Sequence, residues 1–229
     1  MVPFFPAMAG TPLWEDTRLI QSGTGPFWET FTKPFLGSYF RPMVSVSFWL
    51  DYRLAGGLPF QFHQTNVLLH LAATLVFWQT LRMGLVGTRA AALSAMFFAV
   101  QPAQVGAVAW IGGRTDSLAV FFVSITAWML VKGKHSAGRT QVLCGIGAGS
   151  AFLASLLSKE QSGALLPIWL GLALGLGGRT VPKSDQDPRP GPGPNRIRQW
   201  WPWLLVFLIP TVLFAVLWAR LGPESIAMP

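Results

Sequence analysis

Cysteine is almost absent from this sequence. The single Cys144 in 229 residues can form no intrachain disulfide, which excludes a disulfide-stapled outer domain, and inside an apolar run it reads as a small core residue. Histidine is also scarce. The three histidines have no compact set of further His or Cys ligands around them, so neither a zinc site nor any other metal or cofactor is expected. No 34-residue periodicity runs along the chain, so it holds no helical repeat array. The opening decapeptide "MVPFFPAMAG" is apolar but too short to cross a bilayer, and it lacks the basic segment and long apolar core of a signal peptide.

Charge is the other thing in short supply. Only 11% of residues are charged while 52% are hydrophobic, and the mean hydropathy is +0.45. That balance predicts an all-α integral membrane protein. About six transmembrane helices are expected, at 62–81, 90–111 with a break at Pro102, 117–131, 141–157, 163–176 and 200–219. The third to fifth are short for the roughly 20 residues of a crossing, so tilt or local thinning is implied.

The few charges are unevenly placed. The loops joining spans one and two, three and four, and five and six carry ten Lys or Arg against two acids, whereas the remaining segments carry seven of each. By the positive-inside rule the first set is cytoplasmic and the second faces outward. The net charge of +8 therefore reports insertion topology, and no nucleic-acid partner is expected.

Four regions follow. Residues 1–60 form an outer-face segment rich in Trp, Phe and Tyr, with an acidic loop and two amphipathic helices expected in the interface plane, at "PFWETFTKPF" and "RPMVSVSFWLDYRL". Residues 61–177 carry spans one to five. Residues 178–199, rich in Pro, Gly and Arg, read as a flexible cytoplasmic linker. Residues 200–229 hold the last span and an outer tail.

Polar groups interrupt the apolar pattern at a few places, all on the outward side. In "AVAWIGGRTDSLAVFF" the Gly112-Gly113 pair allows a tight turn or the close approach of a ligand, and Arg114 and Asp116 either pair with each other or face that ligand. His63, Asn66 and His70 recur at i, i+3 and i+7 and so share one helical face. Such a stripe hydrogen-bonds to neighbouring helices, with His63 nearest the outer surface and open to a binding role. "SKEQSG" places Lys159 and Glu160 at the outer end of span four. "LWEDTRLI" supplies the adjacent acids Glu15 and Asp16, which alone fit a solvated turn or helix cap. With Arg41 they make a face that could take a proton from an acceptor and bind an anionic leaving group.

The blocks "WED…I" at 14–20, "YFRPMVSVSFWLDYRLAGGLPFQFHQTNVLLHL" at 39–71, "QPAQVGAVAWIGGRTDSLA" at 101–119 and "SKEQ" at 158–161 carry a resemblance. Over about residues 10–180 the chain resembles the protein O-mannosyltransferase superfamily, nearest its transmembrane and tetratricopeptide-repeat branch and bacterial relatives. The resemblance implies a membrane-embedded C-type glycosyltransferase that moves a sugar from a polyprenyl-phosphate carrier to a hydroxyl, such as Ser or Thr of a protein, on the outer face of the membrane. It implies Glu15 or Asp16 as the base. Arg41, Arg114 and Lys159 become phosphate-side groups, with His63, Asp116 and Glu160 completing the substrate-binding set.

Two departures accompany it. Glu15 stands where the family's first-loop pair is commonly led by Asp, and Gln101, Gln104 and Gly106 stand where relatives often carry titratable groups. With six spans where such enzymes resemble bundles of about eleven, the chain is expected to be an N-terminal portion of that fold without its first helix. A bacterial inner membrane is the expected location. The alternative is a non-catalytic membrane subunit that keeps the scaffold.

Overall fold

A computed structural model describes residues 14–37, 39–83, 86–173 and 196–221. Among the described residues the regular structure is helical throughout, apart from one isolated antiparallel bridge between Phe35 and Tyr39. The helices are α1 (Trp14–Ser22), α2 (Glu29–Thr32), α3 (Pro42–Ala55), α4 (Pro59–Arg82), α5 (Thr88–Val100), α6 (Val105–Ala109), α7 (Arg114–Lys134), α8 (Gly138–Leu156), α9 (Leu166–Ala173) and α10 (Arg196–Leu221). Short 3-10 turns at Pro102–Gln104, Ile111–Gly113 and Glu160–Leu165 link them.

Local chemistry sets the breaks. Pro42 and Pro59 open α3 and α4, where the missing N–H costs nothing and the fixed φ suits the first turn. Gly56 closes α3 in the left-handed region, φ 61°, returning its N–H to the Tyr52 carbonyl. Gln101-Pro102 interrupts the second apolar run, and the halves on either side meet at 48°.

The helix α7 is the axis of the fold, packed against α8 along one side and α4 along another. Two apolar cores lie along it. At its N-terminal end Leu19, Phe35, Val44, Phe48, Phe62, Ile111 and Leu118 join α1, α3 and α4 to α7. Toward its C-terminal end Leu130, Ala148, Phe152, Leu156, Trp169 and Phe207 join α7 to α8, α9 and α10. Cys144 is buried in α8.

Several expectations meet the structure here. Among the described residues two helices are long and apolar enough to cross a membrane, Ile111–Lys134 and Leu204–Leu221, and the bent pair Thr88–Val100 with Pro102–Ala109 adds a third if taken as one span. The expected spans at 62–81 and 141–157 coincide with α4 and α8, whose His, Gln, Asn, Thr and Gly content keeps them below that measure. The expected acidic loop is helical, with Glu15 and Asp16 in the first turn of α1, where carboxylates favour the helix dipole. "RPMVSVSFWLDYRL" does form a helix, α3. "PFWETFTKPF" yields only the four residues of α2, because Pro34 forces Lys33 into extended backbone, φ −95° and ψ 136°. The expected linker lies outside the described residues save 196–199, which already belong to α10. The decapeptide 1–10 and the tail from 222 also lie outside them.

The glycines of the opening motif are explained by crowding. A Cβ on Gly113 would stand 2.4 Å from the Ala107 carbonyl oxygen, and one on Gly112 would stand 2.5 Å from the Trp110 ring. Gly113 itself has an ordinary φ of −65°, so close approach and not backbone freedom demands the missing side chain. Gly113→Ala should therefore lower stability by about 1–3 kcal/mol through overpacking. Gly106→Ala, whose Cβ would meet nothing within 4 Å, should leave thermal unfolding in detergent unchanged. Equal melting temperatures for the two variants would refute this account of the turn.

Candidate functional site

The first turn of α7 brings the sequence motifs together. Arg114 follows the crowded Gly-Gly turn directly and projects back between α3 and α4, with none of its surface exposed. Its Nη2 donates to Asp51 Oδ2 at 2.7 Å and to the Phe62 carbonyl at 2.8 Å, its Nη1 to Ser47 Oγ at 3.2 Å, and its Nε to Asn66 Oδ1. Four of the five guanidinium donors are thus engaged, and the Phe48 ring lies 5.0 Å below the charge. Asp51 accepts a second bond from Thr65 Oγ1 at 2.9 Å, and Asn66 Nδ2 donates to the Trp110 carbonyl at 2.8 Å.

Arg114 and Asp116 do not pair with each other. Two residues apart on a helix they point to nearly opposite sides. Asp116 instead pairs with Lys159, and Glu160 next to it pairs with Arg41. The latter is bidentate, Nε to Oε2 at 3.1 Å and Nη2 to Oε1 at 2.8 Å, with the guanidinium also stacked over Tyr39 at 4.2 Å. The "RTD", "SKE" and "YFRP" motifs thus form two side-by-side ion pairs. Unlike the Arg114 pair they reach the surface, for the side chains of Lys159, Asp116 and Glu160 are 23%, 43% and 38% exposed.

The two acids of α1 part company. Glu15 is exposed, whereas Asp16 is 3% exposed, on the side of α1 that meets the Ile111–Gly113 turn. Asp16 stands within electrostatic reach of His63 in the first turns of α4, and His63 lies near the Ala109 backbone and Arg114 as well. His63, Asn66 and His70 are all buried on one face of α4, and His70 Nε2 lies 3.1 Å from the Ala99 carbonyl of α5. No group of three or more His, Cys, Asp or Glu among the described residues is placed to hold a metal ion.

Asp51 and Ser47 are the members of this cluster that the sequence reading left out. A signal was present. Val44, Phe48 and Asp51 fall at i, i+4 and i+7, so the lone acid of α3 sits in register with that helix's apolar, buried stripe.

Set beside known proteins, the chain is similar to protein O-mannosyl-transferases. It is 26% identical over 185 residues, 73% of this chain, to a protein O-mannosyl-transferase of Caenorhabditis elegans. It is 31% identical over 171 residues, 68% of this chain, to the human protein O-mannosyl-transferase TMTC2, and 37% identical over 110 residues, 44% of this chain, to mouse TMTC1. Those matches take up 26%, 20% and 12% of the respective relatives, so the chain spans about a quarter of their length or less. No family model matches, and no solved structure does.

The class is thereby defined as a helical, membrane-type chain that is glycosyltransferase-like. More narrowly, it is O-mannosyltransferase-like, a partial relative of the TMTC proteins, and the resemblance read from its motifs holds. These relatives are animal proteins and lend no support to a bacterial inner membrane.

Two outcomes follow from the ion pairs. Removing one partner of a buried pair strands the other charge, so Asp51→Ala should cost about 3–5 kcal/mol, much of it recovered in an Asp51→Leu, Arg114→Met double variant. Chemical unfolding in detergent measures both, and no recovery in the double variant would assign the loss to packing. Glu160 gives a pH dependence. Partial desolvation raises its pKa, but the hydrogen bonds and charge of Arg41 outweigh that and hold it below the ordinary 4.5. A lowered carboxylate pKa stabilises above the unfolded value and is lost as pH falls through the folded one. The protection of amides 160–165, measured against their intrinsic exchange rates, should therefore fall below about pH 4.5, and Glu160→Gln should remove that loss of protection.

Proposed function

We propose that this chain carries the outer-face working parts of a glycosyltransferase that moves a sugar from a polyprenyl-phosphate carrier to a protein hydroxyl. The observation that carries the reading is the division of labour among the outer charges. One acid, Glu15, stands exposed at the start of a helix, and two cations, Arg41 and Lys159, are held side by side in surface-reaching pairs.

In the reaction so read, the Glu15 carboxylate takes the proton of the acceptor hydroxyl as its oxygen forms a bond to the anomeric carbon. The bond from that carbon to the phosphate oxygen breaks, and its electron pair leaves with the polyprenyl phosphate. The phosphate gains negative charge at that moment, and Arg41 and Lys159 stabilise it once it displaces Glu160 and Asp116 from them. Of the two acids the exposed one is assigned as base, since an acceptor must reach it. Asp16, His63 and Arg114 are positioning residues. They hold α1 against the Ile111–Gly113 turn and hold that turn against α3 and α4. A bundle of six spans with its basic loops inside and this cluster outside belongs to the same proposal.

A second reading, a membrane subunit that keeps the scaffold without catalysis, is favoured by one observation. All three cations of the cluster are neutralised by acids of the chain itself. Radiolabelled sugar transfer by the full-length protein bearing this segment separates the two. Glu15→Gln should lower turnover by about 10²- to 10⁴-fold with membrane insertion and melting temperature intact. Asp16→Asn should lower both turnover and melting temperature. Unchanged turnover in Glu15→Gln would remove that carboxylate from the chemistry, and no transfer by the unmodified protein from any polyprenyl-phosphate sugar would leave the scaffold reading in place.

A further inference from the structure

The first outer segment holds a cleft that the chemistry above does not use. The end of α1, the first two residues of α2 and the turn after it line about 260 Å³, with the buried Leu19 and Phe35 at its base and Gln21, Ser22, Glu29 and Lys33 among its polar lining. The turn carries strain at Leu36, a non-glycine residue at φ 52°, which is held exposed at the rim, while Gly37 takes its φ of 78° without cost.

The charge of the cleft selects its occupant. Lys33, the one cation of the lining, is 67% exposed and lies 2.8 Å from Glu29 Oε2, so the cleft offers a phosphate a single solvated lysine, where Arg41 and Lys159 offer two less exposed cations together. A polyprenyl chain fits poorly too, because it would desolvate the Gln21 amide and the Glu29–Lys33 pair with no hydrogen bond in return. An uncharged segment of extended polypeptide suits a lining that alternates apolar floor with amide, hydroxyl and paired charge.

Position ties the cleft to the proposed base. Glu15, Leu19 and Ser22 stand at i, i+4 and i+7 of α1 and so share a face. The seven-residue rise between Glu15 and Ser22 is about 10 Å. Extended chain covers that distance in roughly three residues.

We infer that this cleft is the acceptor subsite, binding the stretch of polypeptide about three residues from the hydroxyl presented to Glu15. The inference rests on Glu15 being the base, and its test has a readout that does not. Uncharged Thr-containing peptides, fluorescently labelled, are titrated against full-length Glu15→Gln protein in detergent, with and without Ser22→Trp, which fills the cleft. In the Glu15 background Ser22→Trp should raise the acceptor KM about tenfold or more while donor KM and kcat at saturating peptide stay unchanged. Gln21→Ala, which removes one amide and fills nothing, should show the same split to a smaller degree and covers the case in which the Trp variant does not accumulate in the membrane. Peptide affinity unchanged by both substitutions would overturn the inference whatever the fate of catalysis. Peptide binding lost with Ser22→Trp, in a protein that transfers no sugar, would support the subsite and fault the assignment of the base instead.

Discussion

The structure depends on one buried cation. Arg114 has no exposed surface, and a guanidinium removed from water is tolerable only if its donors and its charge are met. Asp51 from α3, Asn66 and the Phe62 carbonyl from α4, and Ser47 from α3 meet them. Because the partners must come from both helices at once, the first turn of α7 fixes how α3 and α4 lie against it. Asn66 extends the constraint to the Trp110 carbonyl, one residue before the turn that α1 packs on. The two glycines before Arg114 serve it by letting the backbone fold tightly enough to aim the side chain inward.

This is also why the sequence was legible in some respects and opaque in others. Helices α4, α7, α8 and α10 follow from apolar runs and their punctuation by Pro, Gly and charge, which are local features. The common face of His63, Asn66 and His70 follows from helical periodicity alone. What could not be read locally is which charge meets which. Spacing offers Arg114 and Asp116 as partners because they are neighbours in the chain, but two residues along a helix turn them away from each other. Their true partners lie 63 and 43 positions distant, Asp51 and Lys159. Long-range pairing is a property of the packed bundle. Asp51 was nevertheless half announced, as the one acid in the buried register of α3.

The division between Glu15 and Asp16 belongs to the same lesson. Adjacent residues on a helix differ by about 100°, so one of a neighbouring pair can be buried while the other faces out. The sequence leaves the two acids equivalent. The docking of α1 on the Ile111–Gly113 turn makes them unlike, with Asp16 turned toward His63 and Glu15 toward solvent.

Two classes of ion pair therefore coexist within one cluster, and their environments suit them to different tasks. The Arg114–Asp51 pair is dry and multiply bonded, so replacing its carboxylate with an incoming anion would mean breaking the contacts that order three helices. The Arg41–Glu160 and Lys159–Asp116 pairs are partly open to water, which screens them more than the fully buried Arg114–Asp51 pair. On the proposed reading, an arriving phosphate would meet less resistance there than at Arg114, and the displaced carboxylates of Glu160 and Asp116, 38% and 43% exposed, could be solvated where they stand. If these cations bind and release an anionic carrier as proposed, they gain from being held in place less tightly than Arg114 is. Tight pairing is confined to the interior, where nothing exchanges, and the loose pairs sit at the surface, where exchange is possible.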